Sequence, residues 1–469
     1  MRFLCTLSLL AALTFSGCTL LAPDERLPAN EAVPDSYSNR AQAADTSQRW
    51  WESFNSSQLN ALVEEALGGN LTLRESWARI RQAEALAIQS GAARWPDLSV
   101  DALASGGGQL ATQRNGDTSY TSLESYHLGV ASTYEVDLWG RIRSKQKAAI
   151  LSASASREDL NAAAISLAAN VATRWIGVMT QRMQKKLLQR QLEANITVVD
   201  LLELRFRKSL ASALDVLQQR QVVEQVRAQV PLAEQQEQRL LNELALLLGR
   251  MPFEAPAVAE EPLTIPQDVP ETGLPLQLLS ARPDIRAAML RLEAADWAVS
   301  GARADRLPTI RLSGSAAYQA GELDALFDNW LFNLAAGLTA PLFDGRRRAA
   351  EVERQLAVVD ESLAAYRRTI LKAVREVEDA LVDEQKLREH LAGLNAQLSE
   401  ARSALNEARQ RYRSGLNDYL PVLTQLVSVQ NLERTVINRT ADLLVARVDL
   451  FRALGGGWPQ ELELSADYN

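Results

Sequence analysis

The sequence predicts a mainly α-helical protein with a membrane-spanning β portion, built as a tandem repeat. Three observations carry that expectation. Two tracts of some 60 residues lack proline and hold one glycine each; four shorter runs alternate apolar and polar residues with period two; and both patterns occur twice. The repeat is plainest at Arg205-Phe206-Arg207-Lys208-Ser209-Leu210-Ala211-Ser212-Ala213-Leu214-Asp215-Val216-Leu217. It returns 206 positions later as Arg411-Tyr412-Arg413-Ser414-Gly415-Leu416-Asn417-Asp418-Tyr419-Leu420-Pro421-Val422-Leu423. The same offset relates Leu248-Gly249 to Leu454-Gly455, and nearly the same offset relates Trp95-Pro96 to Leu307-Pro308. A unit this long is one structural module used twice, not a short solenoid repeat.

The long tracts read as helices at about 144–207 and 346–413, interrupted by Gly177 and Gly393 alone. They are rich in Ala, Leu, Gln, Arg and Glu, all good helix formers. At ~1.5 Å per residue, each makes a rod of roughly 90 Å. Shorter partners follow at about 212–248 and 418–454. Pro231 is expected to kink the first, and Pro421 to start the second, where proline costs little. Helices this long belong to coiled coils or repeat architectures. Small residues such as Ala162, Ala163, Ala164 and Ala168, with Ala349, Ala350 and Ala357, allow close approach on two sides, as a curved helical wall requires.

The strands are placed at about 97–106, 124–138, 309–319 and 330–342. The second sets Tyr126, Leu128, Val130, Tyr134 and Val136 against His127, Gly129, Thr133 and Glu135. The fourth sets Trp330, Phe332, Leu334, Ala336 and Leu338 against Asn333, Ala335, Gly337 and Thr339. One apolar face, aromatics near the ends and a polar opposite face suit a transmembrane barrel strand. A soluble sandwich shares the period; four runs in two hairpins on an exported chain favour the membrane. Four strands cannot close a barrel, and open edges in lipid cost several kcal/mol per unpaired backbone group. Other copies must complete it. The loops 106–123 and 321–329 are expected to face outward.

The first residues read as an export signal: Arg2, an apolar run from Phe3 to Phe15, then Phe15-Ser16-Gly17-Cys18. Small residues before a cysteine make a lipoprotein cleavage box, removing residues 1–17 and leaving Cys18 for acylation. The alternative is a plain signal peptide cut nearby. Residues 18–56 then form a tether and equatorial segment, 57–250 the first repeat, 251–275 a linker, 276–456 the second repeat and 457–469 a tail. Basic residues number 50 against 58 acidic, a net charge of −8 without a basic patch, which argues against a nucleic-acid partner. No catalytic constellation and no cofactor motif is present, so the chain is not expected to be an enzyme. Gly106-Gly107-Gly108 lacks the lysine and context of a phosphate loop. His127 and His390 stand far apart without a metal-ligand pattern, and the Met179 and Met183 pair reads as core packing.

Taken together, the cysteine box, Trp50-Trp51-Glu52-Ser53-Phe54, Asp137-Leu138-Trp139-Gly140-Arg141, Arg282-Pro283-Asp284-Ile285, the two tip sequences and Leu454-Gly455-Gly456-Gly457-Trp458 resemble the TolC-like outer membrane factor family, in its lipoprotein (NodT-type) branch. The resemblance covers nearly the whole mature chain. It implies a homotrimer, a 12-stranded β-barrel in the outer membrane continuing into a periplasmic α-barrel of antiparallel coiled-coil hairpins. It further implies an exit duct for a tripartite efflux pump, with a periplasmic adaptor protein and an inner-membrane RND-type pump as partners. A type I protein-secretion duct is the alternative within the family; a lipid-anchored periplasmic coiled-coil spacer is the alternative of another class. In the family a tyrosine, an arginine and an aspartate hold the periplasmic mouth shut. Tyr412 matches the tyrosine and Asp215 the aspartate, whereas Asn417 stands in the arginine's place. Leu420 matches a gate leucine, and Thr424 replaces the acid one turn on. The implied gate is therefore poorer in charge than its relatives. For Asp215 the competing reading is ordinary helix N-terminal placement. Lys208, Ser209, Leu210, Ser414, Gly415 and Leu416 match the adaptor-docking tips.

Overall fold

The computed structural model describes Pro23 and residues 49–112, 118–266 and 281–456. Cys18, the signal segment and Gly457-Trp458 lie outside the described residues. A 3-10 turn at Trp50–Phe54 leads into α1 (Ser57–Gly69) and α2 (Leu71–Ala92), then strands β1 (Asp97–Thr112) and β2 (Thr118–Val136). Next come α3 (Arg141–Arg207) and α4 (Ala213–Leu247). The second repeat is α5 (Pro283–Ala304), β3 (Thr309–Ala320), β4 (Trp330–Thr339), α6 (Arg347–Arg413) and α7 (Leu420–Ala453). Both α3 and α6 are 67 residues long, about 100 Å at the α-helical rise. By length and composition α3 holds a stretch able to cross a membrane, but 61% of that stretch is buried among other helices, as a core segment would be.

The chain forms two compact units. One holds the four strands with the adjoining parts of α2, α3, α5 and α6; the other holds α1, α4, α7 and the remaining parts of the long helices. In the first unit the strands make one antiparallel sheet in the order β1-β2-β3-β4. The pairings Val100↔Val130, Leu128↔Tyr318 and Tyr318↔Trp330 put most of the large apolar residues of the four strands on one face, with Leu103 and Leu331 on the other. Among the described residues that face is largely bare: Leu98, Val100, Trp330, Phe332, Leu334 and Leu338 are all exposed. The other face carries Ser99, Asp101, His127, Thr133, Glu135, Arg311 and Asn333. On it His127 contacts Asp101 at 2.6 Å, and Arg311 pairs with Glu135 at 3.8 Å.

The first hairpin is longer than its hydrophobic pattern foretold. The segment 106–123, expected as a loop, is mostly ladder: Gly106 pairs with Glu124, Gly108 with Ser122 and Thr112 with Thr118. Glycine, serine and threonine give no period-two signal, yet the backbone keeps its hydrogen bonds. β3 ends at Ala320 opposite Tyr126, so this extension projects beyond the neighbouring strands, where Ser122 and Glu124 replace the apolar face. At the other end β4 stops at Thr339 rather than 342, because Pro341 has no N–H to donate.

The junctions explain the motifs. Asp137 accepts hydrogen bonds from the backbone N–H of Ile142 and Arg143 at 2.9 and 2.8 Å, capping α3. The Trp139 indole donates to the Pro308 carbonyl at 2.6 Å, and Arg141 grips Glu135 with two nitrogens. Gly140 turns the chain at φ 74°. In the second repeat Asp344 caps α6 through Arg348, and Gly345 with Arg346 makes the positive-φ turn.

In the second unit, each hairpin's short helix ends against the start of the preceding pair. Asn70 donates to the Leu247 carbonyl at 2.8 Å while its own oxygen caps α2. At the matching place Arg282 donates to the Ala453 carbonyl at 2.9 Å and is held by Asp284 and Glu376. Trp50 is buried and stacks on Phe451 at 5.4 Å, anchoring the start of the described chain on α7. The helix α4 runs through Pro231 unbroken, so the expected kink does not divide it. Glu237 on α4 binds Arg182 and Lys185 of α3 at 2.7 and 3.0 Å. Burial pushes its carboxyl up, but the two cations outweigh that and hold it below the ordinary 4.5.

Two predictions follow from these contacts. A Cβ on Gly249 would meet the Gly69 carbonyl oxygen at 2.4 Å at a φ of +76°, whereas one on Gly345 meets nothing within 4 Å. Gly249→Ala should therefore lower the oligomer's heat-dissociation temperature clearly more than Gly345→Ala, whose penalty is the left-handed backbone alone, about 1 kcal/mol. Because the Glu237 carboxyl is depressed in the fold, its stabilisation is full above 4.5 and disappears as pH falls through the folded value. Glu237→Gln should be less stable than the parent at pH 7, with the gap closing in acid, read by thermal melts across pH.

Candidate functional site at the hairpin ends

The hairpins α3–α4 and α6–α7 end in matched turns. After α3, Leu210 N–H donates to the Arg205 carbonyl at 2.8 Å and Ser209 N–H to that of Phe206 at 2.9 Å. After α6, Leu416 N–H reaches the Arg411 carbonyl at 2.9 Å and Gly415 N–H that of Tyr412 at 3.2 Å. This double bond pattern needs a left-handed residue. Gly415 supplies it at φ 70° and Ser209 at φ 57°, the latter against its Cβ. Lys208, Ser209, Leu210, Ser414, Gly415 and Leu416 are all exposed, with the two leucines at 61% and 73%. Leu420 and Thr424 lie exposed one helical turn apart, and the Thr424 hydroxyl donates to the Leu420 carbonyl at 2.9 Å. Leu214, at the place of Leu420 in the first repeat, is exposed as well.

The structure does not give Asp215 to Tyr412. The Asp215 carboxylate accepts from the Ser212 N–H at 2.9 Å while the Ser212 hydroxyl accepts from the Asp215 N–H at 3.1 Å, a complete capping box. Tyr412 instead lies under the Arg205 guanidinium at 4.6 Å and edge-on to Tyr419 at 5.5 Å. Its hydroxyl and the Arg205 Nε are buried with no hydrogen-bond partner among the described residues. Asn417 is half-buried in the turn. Burial raises the Tyr412 phenol, with Arg205 opposing, and raises Tyr419 further; both are neutral at physiological pH.

Sequence reasoning missed what lies beside this cluster. A row of buried polar side chains joins the two hairpins. The Tyr419 hydroxyl donates to Gln219 at 2.7 Å, Gln219 donates to Asn195 at 3.0 Å, and Asn195 donates to Gln430 at 3.3 Å. Gln191 donates to the Gln430 carbonyl at 3.2 Å, and Gln184 to the Arg434 carbonyl at 2.8 Å and to Asn438 at 2.9 Å. The signal was present: Gln184, Leu188, Gln191, Asn195, Val198 and Leu202 alternate by four and three, the spacing of a coiled-coil seam. Polar residues there read as solvated face unless the seam is known. His390 is exposed, and no cluster able to hold a metal occurs among the described residues.

A sheet with a bare apolar face and two free edges, continued into paired 67-residue helices, defines a channel protein of the outer membrane in the TolC-like fold, a β-barrel joined to an α-barrel. The chain belongs to the outer membrane efflux protein family, whose profile matches residues 62–250 and 274–456. It is 34% identical over 460 residues to the pyoverdine export outer membrane protein OpmQ of Pseudomonas aeruginosa, covering 95% of this chain and 96% of OpmQ. It is 36% identical to the outer membrane protein OprJ of the same organism, covering 97% and 96%. The solved structure of the outer-membrane channel OprN superposes with a TM-score of 0.86 at 30% identity, covering 94% of this chain and 99% of that one.

The capping box yields a prediction that separates two roles for Asp215. Asp215→Asn keeps an acceptor for the Ser212 N–H and should leave stability nearly unchanged. Asp215→Ala should cost about 1 kcal/mol. If the carboxylate serves only as a cap, single-channel conductance should stay at the parental value in the Asn variant.

Proposed function

We propose that this efflux channel works as a homotrimeric exit duct, lipid-anchored at Cys18, that receives small molecules from an inner-membrane RND-type pump through a periplasmic adaptor. The sheet carries the reading. Strands β1 and β4 each leave one edge unpaired in the chain, and their apolar face is bare. Three copies supply twelve strands, closing every edge and turning the polar face onto a water-filled lumen. From Ile310 to Tyr318 the apolar band of β3 is nine residues long, the span of a tilted membrane strand. On the lumen face Glu135 would be paired with Arg311 and Arg141, and Asp101 in contact with His127, among hydroxyls and amides. Such a wall suits varied solutes, with choice made upstream in the pump. OpmQ is named for export of pyoverdine, and export of small molecules is the reading carried to this chain.

Control falls to the hairpin ends in this reading. Leu420 with Thr424, Tyr412, Asp215 and Asn417 would form the gate, and Lys208 to Leu210 with Ser414 to Leu416 the adaptor's docking tips. The exposed Leu210 and Leu416 offer an apolar contact at each hairpin end.

Planar bilayers test the duct directly. Purified protein should migrate as a heat-dissociable trimer and give discrete conductance steps; a monomer without current would remove the reading. Cys18→Ser should abolish incorporation of labelled fatty acid while leaving those steps in place.

A further inference from the structure

We propose that the strand-to-helix junctions form a basic collar that binds anionic phospholipid headgroups in the leaflet facing the helices. It rests on the proposed closure of the sheet in the membrane. The segments 94–97, 135–147, 303–311 and 344–348 adjoin the helix-side ends of the four strands, and all lie in the first unit. They carry eleven Lys and Arg against five Asp and Glu, although the whole chain has a net charge of −8. Four of those acids are already engaged. Glu135 holds Arg141 at 2.7 Å, Asp305 and Asp344 each hold Arg348 at 3.1 Å, and Asp137 caps α3. Lys147, Arg303 and Arg306 are exposed and make no ion pair among the described residues.

This collar differs from an ordinary solvated helix face. Farther along α6, cations and carboxylates pair within one turn, as Arg354 does with Glu351 at 2.7 Å and Lys386 with Glu389 at 2.9 Å. At the opposite ends of the strands the sign reverses: Glu124, Glu322, Asp324 and Asp328 stand there with no Lys or Arg among the described residues. The collar also bears exposed aromatic rings, Trp95 at 77% and Phe343 at 92%, close in sequence to Arg94 and Arg346. Such rings sit at headgroup level in membrane proteins. At the helical rise, Lys147 and Arg303 lie within about 10 Å of the strand ends. A headgroup layer about 5–7 Å thick falls within reach of their long stems, which carry the charge toward it. Cations with no carboxylate of their own favour a lipid with net negative charge over a zwitterionic one.

The full-length trimer, stripped of lipid in nonionic detergent, tests this by native mass spectrometry with added phosphatidylglycerol or phosphatidylcholine. The parent should retain phosphatidylglycerol in preference, and about 0.5 M salt should weaken that preference, an arm that needs no substitution. Lys147→Gln combined with Arg303→Gln and Arg306→Gln should lower phosphatidylglycerol affinity roughly hundredfold, about fivefold per charge, with phosphatidylcholine binding unchanged. The variant's heat-dissociation temperature in detergent should match the parent's, since none of the three side chains is in an ion pair. Equal retention of both lipids by the parent, or an unchanged preference in the triple variant, would overturn the proposal. Displacement of the lipid by millimolar glycerol phosphate would also overturn it, marking a site for soluble anions. A changed ion selectivity of the current with lipid preference intact would put these cations on the lumen and overturn it too. A parent that forms no trimer and passes no current would instead overturn the closure beneath it.

Discussion

Backbone hydrogen bonding at the two free edges of a four-stranded sheet is the constraint on which the rest depends. In water an open edge is solvated; in hydrocarbon each unpaired N–H and C=O costs several kcal/mol. The exposed apolar face excludes water as the sheet's natural solvent, and the free edges exclude lipid for a single copy. Only closure with further copies satisfies both. The same closure explains why one apolar face and one polar face persist across β1 to β4: after closure each face meets a single solvent.

Duplication has kept geometry and let chemistry drift. Gly249 and Gly455 both end a short helix with positive φ, and Ser209 and Gly415 both turn the hairpin tip. At the start of α2 and α5, however, Asn70 and Arg282 perform one task with different groups: each donates to a carbonyl at the end of the adjoining short helix. Arg282 brings charge to do so, and its guanidinium is held by Asp284 and Glu376 in a largely buried site. Burial lowers its pKa, but those two carboxylates outweigh that and raise it. The two halves of the repeat therefore tolerate different substitutions at equivalent places. The hairpin ends extend the pattern, since Leu214 and Leu420 match in exposure while Asp215 caps its helix and Pro421 starts the other.

The long helices were legible because nothing interrupts them: α3 and α6 end at Arg207 and Arg413, where the turn residues begin. The strands were legible only where one face is apolar, which is why the Gly106 to Leu123 segment read as loop although its ladder continues to Thr112 and Thr118. Asp137 and Asp344 were visible as motif residues, but their capping role needed the turn geometry beside them. Asp215 was ambiguous for a physical reason, since a carboxylate at the third position of a helix serves equally as cap or latch until its partner is seen. The residues of the buried polar row were hidden because glutamine and asparagine at seam spacing look like solvated surface. What buries them is α7 and α4, far away in sequence.

The contacts within one hairpin differ in kind from those between the hairpins. Arg447 of α7 and Glu384 of α6 form a buried ion pair, 2% and 3% exposed, with Arg388 also on Glu384. Such a pair is costly to assemble, and separating its members is costlier still, so it suits two helices of one hairpin that never part. Toward the hairpin ends, where α7 meets α3 and α4 of the other hairpin, buried amides and a phenol sit within a cluster of buried leucines and valines from both hairpins, and no buried ion pair takes part among the described residues.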